Sequence, residues 1–334
     1  MIHFAIVGCG GMAKWHAEQL QKIEEAKVVA LCDVRPEQTA EFKQKYFKDA
    51  VEYADLPALL KNPPAKLDAV VLVTPHTQHY AESKSALEAG LHVLVEKPMV
   101  TNVEHAYDLW KTVNKTGKHL GITFQAPYTP EYQAIARLRD AGQMGTPQII
   151  SGWLAQGWKT ATAGTWRQDP AKSGGGQMYD SGAHVFNGIM WIMNSPVIEV
   201  ACFYDRCDTP VDINGVAIMK FANGAMGSVS IGGNSPGWDV SITLQTDQMV
   251  IKTGPHGGFL EMTKGGKKFY PRVEQDDHPA AGTPHLNFVH AILGKEELIA
   301  PVRYGVLLSA LMDALYESAE KQSPVKVKPV PDAL

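Results

Sequence analysis

Three side chains that can hold or transfer protons stand out in this 334-residue sequence. Lys97 lies in an EKP motif at positions 96–98, while Asp180 and His184 lie four residues apart in the segment GGGQMYDSGAH at 174–184. An ammonium group can stabilise negative charge that develops on an oxygen, and an imidazole titrates near neutral pH. These residue types together suit the removal of a proton from an alcohol.

The local pattern predicts how these groups are presented. Because the apolar residues after the glycine triplet have helical spacing, we expect Asp180 and His184 to be neighbours on one helix face, with Asp180 stabilising the imidazolium or relaying its proton. The alternative is that Asp180 caps the helix and His184 packs in the core. Glu96 and Lys97 end a predicted strand, and Pro98 permits a cis bond that would fix where the amine points. Alternatively, Lys97 is a surface lysine paired with Glu96.

A second motif, IHFAIVGCGGMA at the N-terminus, reads as a strand followed by a glycine-rich turn and a helix. Gly8 allows the tight turn, Gly10 lets the backbone approach a pyrophosphate, and Ala13 at the third motif position permits close packing of helix on strand. Gly11 and Met12 follow at the helix start, where unpaired N–H groups can bind phosphates. The turn therefore predicts a dinucleotide site.

Asp33 ends the next predicted strand, twenty residues after the motif, where a carboxylate can accept the ribose hydroxyls of a dinucleotide. Because this carboxylate would repel the extra phosphate of NADP, the sequence favours NAD. Arg35 can pair with that phosphate if Asp33 turns away, so NADP is the alternative cofactor. Plain turn glycines with a surface aspartate are the remaining interpretation.

The elements that must position these residues alternate between strand and helix over the first third of the chain. Apolar runs without alternation suit strands that are covered on both faces, and helical connections between them imply parallel crossovers. The pattern predicts a doubly wound parallel sheet of Rossmann type over residues 1–124. The strand segments are FAIVG, KVVALCD, AVVLVTP, HVLVEKP and HLGITF, and the helices are predicted at 12–23, 36–46, 78–89 and 103–116.

After about residue 125 several segments alternate apolar and polar residues, as in an antiparallel sheet with one covered face. The pattern predicts a second, α+β domain over residues 125–334 with a large, mostly antiparallel, open-faced sheet. Strands are predicted at 147–155, 197–204, 211–221, 225–232 and 240–245, and helices at 130–141, 285–293 and 304–320.

The charge, hydropathy and cysteine content of the chain indicate which partners and which cell compartment to expect. With 31 basic and 35 acidic residues, a formal charge of −4 and no long basic run, nucleic acid and anionic membrane are poor partners. No apolar run is long enough to span a bilayer, and the N-terminus lacks the features of a signal peptide. Four cysteines without paired spacing suit reduced thiols in a cytoplasmic protein. No metal site is expected, because His76 and His79 are only loosely spaced ligands.

Taken together, the motifs resemble the Gfo/Idh/MocA family of glucose-fructose oxidoreductase, inositol 2-dehydrogenase and rhizopine catabolism proteins. The resemblance runs from the glycine turn through a TP-x-x-x-H block at 74–79 and EKP to GGG-x-x-x-D-x-G-x-H. It implies a Rossmann domain, a sheet domain often used in oligomer contacts, and a substrate pocket between them, hence a homodimer or homotetramer. It also implies catalytic roles for Lys97, Asp180 and His184, and a cofactor site lined by Thr74, Pro75, His79, Glu96 and Lys97.

The resemblance implies an NAD-dependent oxidoreductase that transfers hydride between a secondary alcohol of a sugar, sugar derivative or cyclic polyol and the nicotinamide. His184 would accept the hydroxyl proton, Lys97 would hold the same oxygen, and Asp180 would tune or relay, so that Asp180 and His184 also contact substrate. Glycoside cleavage or elimination through a transient keto-sugar is one alternative. A dinucleotide-binding regulator without catalysis is another.

Aromatic residues before the glycine triplet can offer flat rings to a sugar. Trp166 with Arg167 is the best candidate pair, since it lies nearest the motif, whereas Trp153 and Trp158 are more simply explained by packing. Tyr128, like Gln125, is a candidate polar contact. The chain departs from the family pattern at residue 76, where histidine replaces the frequent asparagine, and at QAPYTPEY, which replaces an arginine-containing stretch.

Overall fold

The structure of the chain is a computed structural model that describes residues 1–273 and 282–331. Within these ranges the first sheet has six strands, all parallel, in the order β3-β2-β1-β4-β5-β6. This is the order of a Rossmann sheet, so the prediction of a doubly wound domain is confirmed. The strands are β1 (Ile2–Val7), β2 (Ala26–Cys32), β3 (Val51–Tyr53), β4 (Ala69–Leu72), β5 (His92–Val95) and β6 (Leu120–Ile122).

Helices connect these strands, and side-chain caps mark where two of them begin. Asp55 accepts a hydrogen bond from the Ala58 N–H at the start of α3, and Asn102 accepts one from the His105 N–H at the start of α5. β3 and α3 were not predicted, because β3 is exposed or half-buried and has no apolar run, and the six residues of α3 are too few to show a period. The helices are α1 (Gly11–Leu20), α2 (Pro36–Lys45), α3 (Leu56–Lys61), α4 (His79–Glu88) and α5 (Val103–Thr116).

Among the described residues, the second sheet has nine strands in the order β14-β13-β12-β11-β7-β10-β9-β8-β15, antiparallel except for the pair β7 and β10. This confirms the prediction of a mostly antiparallel sheet, although β12 to β15 were not predicted. The strands are β7 (Pro147–Ala155), β8 (Val197–Asp205), β9 (Asn214–Phe221), β10 (Met226–Gly232), β11 (Asp239–Thr246), β12 (Met249–Thr253), β13 (Leu260–Lys264), β14 (Lys267–Phe269) and β15 (Val325–Lys326).

Helices cover one face of this sheet, and a later helix packs on the Rossmann sheet. α9 lies against β7 so closely that a Cβ on Gly152 would meet the Val185 side chain at 2.5 Å. α10 packs on the Rossmann sheet, where Phe288 meets Phe4 at a centroid distance of 6.4 Å. The helices are α6 (Pro130–Asp140), α7 (Trp158–Ala161), α8 (Pro170–Ser173), α9 (Gly182–Met193), α10 (Pro284–Ile292) and α11 (Val302–Lys321).

The other face of the nine-stranded sheet is open. In β9 the side chains alternate, so that Val216 and Ile218 are exposed while Ala217 and Met219 are buried. Phe203 on the neighbouring β8 is also exposed. The expected homodimer or homotetramer stays a prediction. Within the described ranges, none of the helices combines the length and apolar character needed to cross a bilayer.

Candidate active site

The glycine-rich turn lies between β1 and α1, at the carboxyl edge of the Rossmann sheet. Gly8 has a φ of +89°, and a Cβ there would lie 2.6 Å from the carbonyl oxygen of Val73, so only glycine fits. Gly10 and Gly11 face open space, and no side chain caps the helix start. The N–H groups at this end of α1 are therefore suited to bind the phosphates of a dinucleotide.

Asp33 follows β2 with its carboxylate fixed by the backbone. One oxygen accepts the Cys9 N–H at 2.9 Å, and the other accepts the Arg35 N–H at 2.9 Å. The Arg35 guanidinium Nε lies 3.3 Å from the same carboxylate, while its side chain is 56% exposed. A carboxylate held here is placed to accept ribose hydroxyls. A groove of about 300 Å³ is lined by Gly8, Gly10, Asp33, Arg35, Thr74, Pro75 and Trp166, among others.

A larger cavity of about 500 Å³ shares Gly10, Thr74 and Trp166 with this groove. Both halves of the chain contribute to its wall. Most of the residues singled out in the sequence are found here: the lining includes Gly11, Met12, His76, Glu96, Lys97, Trp166, Arg167, Asp180, Ser181 and His184. The structure thus brings the predicted ammonium, carboxylate and imidazole groups to one cavity.

Lys97 follows β5 and is joined to Pro98 by a cis peptide bond. Its Nζ donates to Asp180 Oδ1 at 2.6 Å and to the Asp180 backbone oxygen at 3.0 Å. The interpretation of Lys97 as a surface lysine paired with Glu96 is wrong, because its side chain is only 13% exposed and its partner is Asp180. An ammonium has three N–H donors, so one remains for a ligand in the cavity.

Asp180 is surrounded by donors. Its Oδ2 accepts the indole N–H of Trp158 at 2.9 Å and the Nε–H of Arg167 at 3.1 Å. Burial alone would raise the pKa of Asp180, but the positive charges of Lys97 and Arg167, together with the hydrogen bond from Lys97, outweigh burial and hold that pKa well below its usual range. The group is therefore an ionised, buried carboxylate that orients Lys97.

The predicted helical pairing of Asp180 with His184 is wrong in its geometry. Helix α9 begins at Gly182, and Asp180 precedes it in a turn where its N–H bonds the Gly176 oxygen at 2.9 Å. Asp180 does not cap the helix either, since Ser181 occupies the N-cap position, and its side chain accepts no hydrogen bond from the first turn of the helix. The turn forms because backbone N–H groups at the end of the glycine triplet and just after it donate hydrogen bonds to another carboxylate.

That carboxylate is Asp212, which is buried and was not singled out in the sequence. Its Oδ1 accepts the Gly176 N–H at 2.7 Å and the Tyr316 hydroxyl at 2.6 Å, and its Oδ2 accepts the Met178 N–H at 2.8 Å. A Cβ on Gly176 would lie 2.0 Å from the Asp212 backbone oxygen. The glycine is required because two backbones approach closely, and Asp212 shapes the loop that carries Asp180.

His184 lines the cavity with a neutral ring. Burial has the largest effect, and nearby Lys97 adds to it, so that the pKa of His184 lies well below its usual value. The ring meets that of His256 edge on, at a centroid distance of 4.3 Å. A neutral imidazole is ready to accept a proton at neutral pH. His256, in the turn after β12, was missed because no motif surrounds it.

Glu96 lies at the cavity wall, and its carboxylate has a partner behind that wall. Glu96 Oε1 lies 2.9 Å from His16 Nε2, and His16 Nδ1 lies 2.8 Å from His285 Nε2. Burial would raise the pKa of Glu96, but the hydrogen bond from His16 and the charges of His16 and Lys97 lower it to about 2. The second oxygen of Glu96 accepts the Lys97 backbone N–H at 3.1 Å. The hydrogen bonds of His16 to Glu96 and to His285 link α1 and α10 to the EKP segment.

Several candidate residues line neither the cavity nor the groove. His79 is buried, with its ring nitrogens 2.8 Å from the Pro98 oxygen and 2.9 Å from the Thr74 oxygen, so it joins two strand-end loops. Tyr128 is buried in the hydrophobic core, where burial raises the pKa of its hydroxyl, and the geometry does not support a contact with substrate. Trp153 is 43% exposed on the open sheet face.

Two models of one protein family match this chain, one over each sheet. The family model described as "Oxidoreductase family, NAD-binding Rossmann fold" matches residues 2–124, and the GFO/IDH/MocA C-terminal domain matches residues 132–252. D-glucoside 3-dehydrogenase of Escherichia coli is 25% identical, covering 98% of this chain and 97% of its own length. The scyllo-inositol 2-dehydrogenase (NAD(+)) of Bacillus subtilis is 26% identical, covering 70% of this chain and 68% of its own.

Solved structures share the fold. The WlbA dehydrogenase from Bordetella pertussis, in complex with NADH and UDP-GlcNAcA, has a TM-score of 0.85 and 23% identity, with 99% of each chain covered. A levoglucosan dehydrogenase in complex with NADH has a TM-score of 0.86 and 20% identity, with 98% of this chain and 100% of that chain covered. The similarity thus extends over both sheets.

Proposed function

We propose that the chain, which belongs to the Gfo/Idh/MocA family of oxidoreductases, is an NAD-dependent dehydrogenase of a secondary alcohol in a sugar, sugar derivative or cyclic polyol. The observation that carries the proposal is the meeting of Lys97, Asp180 and His184 at one cavity that also includes the glycine turn. Relatives that are named glucoside and inositol dehydrogenases support the substrate class.

The residues present fit a dinucleotide. Gly10 and Gly11 leave open space at the uncapped start of α1 for a pyrophosphate, and Asp33 offers a fixed carboxylate to the ribose hydroxyls. NAD, when bound, accepts the hydride that leaves the substrate carbon. We propose NAD over NADP because Asp33 would repel a ribose phosphate, and because Arg35 is already bonded to Asp33.

Lys97, His184 and Asp180 have separate roles in binding the substrate hydroxyl and removing its proton. The third N–H of Lys97 holds the substrate hydroxyl oxygen and stabilises the negative charge that develops there. The neutral ring of His184 accepts the hydroxyl proton as the carbonyl group forms, and returns it in the reverse direction. Asp180 keeps the Lys97 ammonium in place, and its own charge is balanced by Lys97 and Arg167.

The test is a screen of purified protein with NAD against inositols, aldoses, sugar acids and glycosides, followed by NADH absorbance. Lys97→Ala and His184→Ala should each lower turnover roughly a hundredfold or more while NAD still binds. Lys172→Ala is the matched control, since the Lys172 side chain is 58% exposed. Turnover close to wild type in both active-site variants would reject the assignment.

The same screen separates the alternatives. A glycosidase or lyase that oxidises its substrate only transiently would release product without accumulation of NADH. A regulator would bind NAD and turn over none of the compounds. Net formation of NADH with one group of compounds would establish the dehydrogenase and its substrate class together.

A further inference from the structure

His76 lies in the wall of the cavity and has no role in the mechanism above. It opens the 3₁₀ turn His76–Gln78 after β4, and its ring meets that of Trp166 edge on, at a centroid distance of 4.8 Å. Its Nδ1 lies 3.0 Å from the backbone oxygen of Ser173. Because a carbonyl oxygen only accepts hydrogen bonds, Nδ1 carries the proton.

The bond to Ser173 makes the other ring nitrogen an acceptor. Burial lowers the pKa of His76 to about 3, so the ring is neutral and Nε2 has a free lone pair. Nε2 lies 4.0 Å from Asp180 Oδ1, which is too long for a hydrogen bond, and both atoms are acceptors. The residue lines the same cavity as Lys97, so this lone pair is available to a ligand that donates.

We propose that His76 determines substrate specificity by accepting a hydrogen bond from a second hydroxyl, on the carbon next to the one that is oxidised. The proposal rests on the proposed function. Lys97 Nζ and His76 Nε2 lie 2.6 Å and 4.0 Å from the same Asp180 oxygen, so both nitrogens are near one region of the cavity, and two hydroxyls on adjacent carbons are close enough together to reach both. The substrate class is therefore a vicinal diol, such as a pyranoside or an inositol, and not an isolated secondary alcohol.

The surroundings of His76 hold the ring in one place. Trp166 packs on its edge, the guanidinium carbon of Arg167 lies 4.6 Å from the centroid of the Trp166 ring, and Arg167 is bonded to Asp180. A hydroxyl that reaches His76 therefore meets an acceptor whose position is fixed. Sites built to bond a hydroxyl discriminate strongly against an analogue that lacks it, because the buried polar group is left unpaired.

The experiment compares methyl β-D-glucoside with its monodeoxy analogues on four proteins. His76→Phe keeps a ring beside Trp166 but removes the acceptor, His76→Asn restores an acceptor oxygen, and His119→Phe changes a histidine outside the cavity. The values of kcat and KM are measured for each compound with NAD. Calorimetry measures binding of the same compounds to the protein–NADH complex, which gives a readout without turnover, and NADH affinity is measured separately.

The wild-type protein should prefer the parent glucoside over one deoxy analogue by about 100-fold in kcat/KM. His76→Phe should reduce this preference to less than about 5-fold through a higher KM for the parent alone, His76→Asn should restore part of it, and His119→Phe should keep it. The proposal is overturned if His76→Phe keeps the preference, lowers kcat/KM equally for all compounds, or weakens NADH binding more than about threefold.

The calorimetric arm separates this proposal from the proposed function. Preferential binding of the parent glucoside to the NADH complex, lost in His76→Phe, supports the role of His76 even if no compound yields NADH. Oxidation of the glucoside with equal binding of every deoxy analogue supports the dehydrogenase and overturns the role of His76. Failure of the whole series to bind the NADH complex also overturns it.

Discussion

Replacement of Asp212 by Asn tests how the loop that carries Asp180 is held. In the structure the Asp212 carboxylate accepts three hydrogen bonds, two from the N–H groups of Gly176 and Met178 and one from the Tyr316 hydroxyl. An asparagine amide has one acceptor oxygen, and its NH2 group would face one of these donors. At least one buried donor therefore loses its partner.

The expected loss follows from this count. An unpaired buried donor costs about 1–3 kcal/mol, and a hydrogen bond to a charged group contributes about 1.5–3 kcal/mol. We expect Asp212→Asn to lower the free energy of unfolding by about 3 kcal/mol. It should also lower kcat, because Asp180 belongs to the same loop and bonds the Gly176 oxygen. NADH affinity should stay within about twofold, since the glycine turn is a separate element.

Urea denaturation followed by circular dichroism measures the stability, and steady-state kinetics measures kcat. Asp205→Asn is the matched control, because Asp205 accepts the Cys207 N–H at 2.9 Å on an exposed segment, and it should behave like the wild-type protein. The reasoning is refuted if Asp212→Asn is as stable and as active as Asp205→Asn. It is also refuted if NADH affinity falls in step with kcat.

Three further results are expected. Because burial and Lys97 lower the pKa of His184, kcat/KM for alcohol oxidation should stay flat from pH 8 to pH 6, where an ordinary imidazole would be roughly three-quarters protonated; a decline through pH 6.5 would contradict this. Asp33→Ala should lower kcat/KM with NAD about tenfold and raise the ratio of NADP to NAD activity, and an unchanged ratio would argue against its role. Gly176→Ala should lower the unfolding temperature by several degrees and abolish most turnover, because its Cβ would lie 2.0 Å from the Asp212 backbone oxygen. Gly237→Ala, where a Cβ meets nothing within 4 Å, should change neither the unfolding temperature in a thermal scan nor the turnover.

Much of the Rossmann half was predictable because its information is local. Apolar runs bounded by glycine and helical spacing predicted β1, β2, β4, β5 and β6, together with most helix bounds to within a few residues. The strand ends at Gly8, Asp33, Thr74 and Lys97 then had to meet at one edge, since parallel strands in this architecture share their carboxyl ends. β3 and α3 were not predicted, because β3 has no buried apolar run and α3 is too short to show helical spacing.

Residue types and their spacing were enough to predict the kinds of groups available: a phosphate-binding turn, a ribose-binding carboxylate, an ammonium, a carboxylate and an imidazole. The hydrogen-bond partners of these groups depend on how the chain folds. Asp180 bonds Lys97 across 83 positions of sequence, and Tyr316 reaches Asp212 across 104. Periodicity describes neighbours within a helix or strand, whereas these bonds depend on how two sheets pack. For that reason the spacing predicted that Asp180 neighbours His184 on a helix, whereas in the folded chain Asp180 bonds Lys97 and His76 lies close to both.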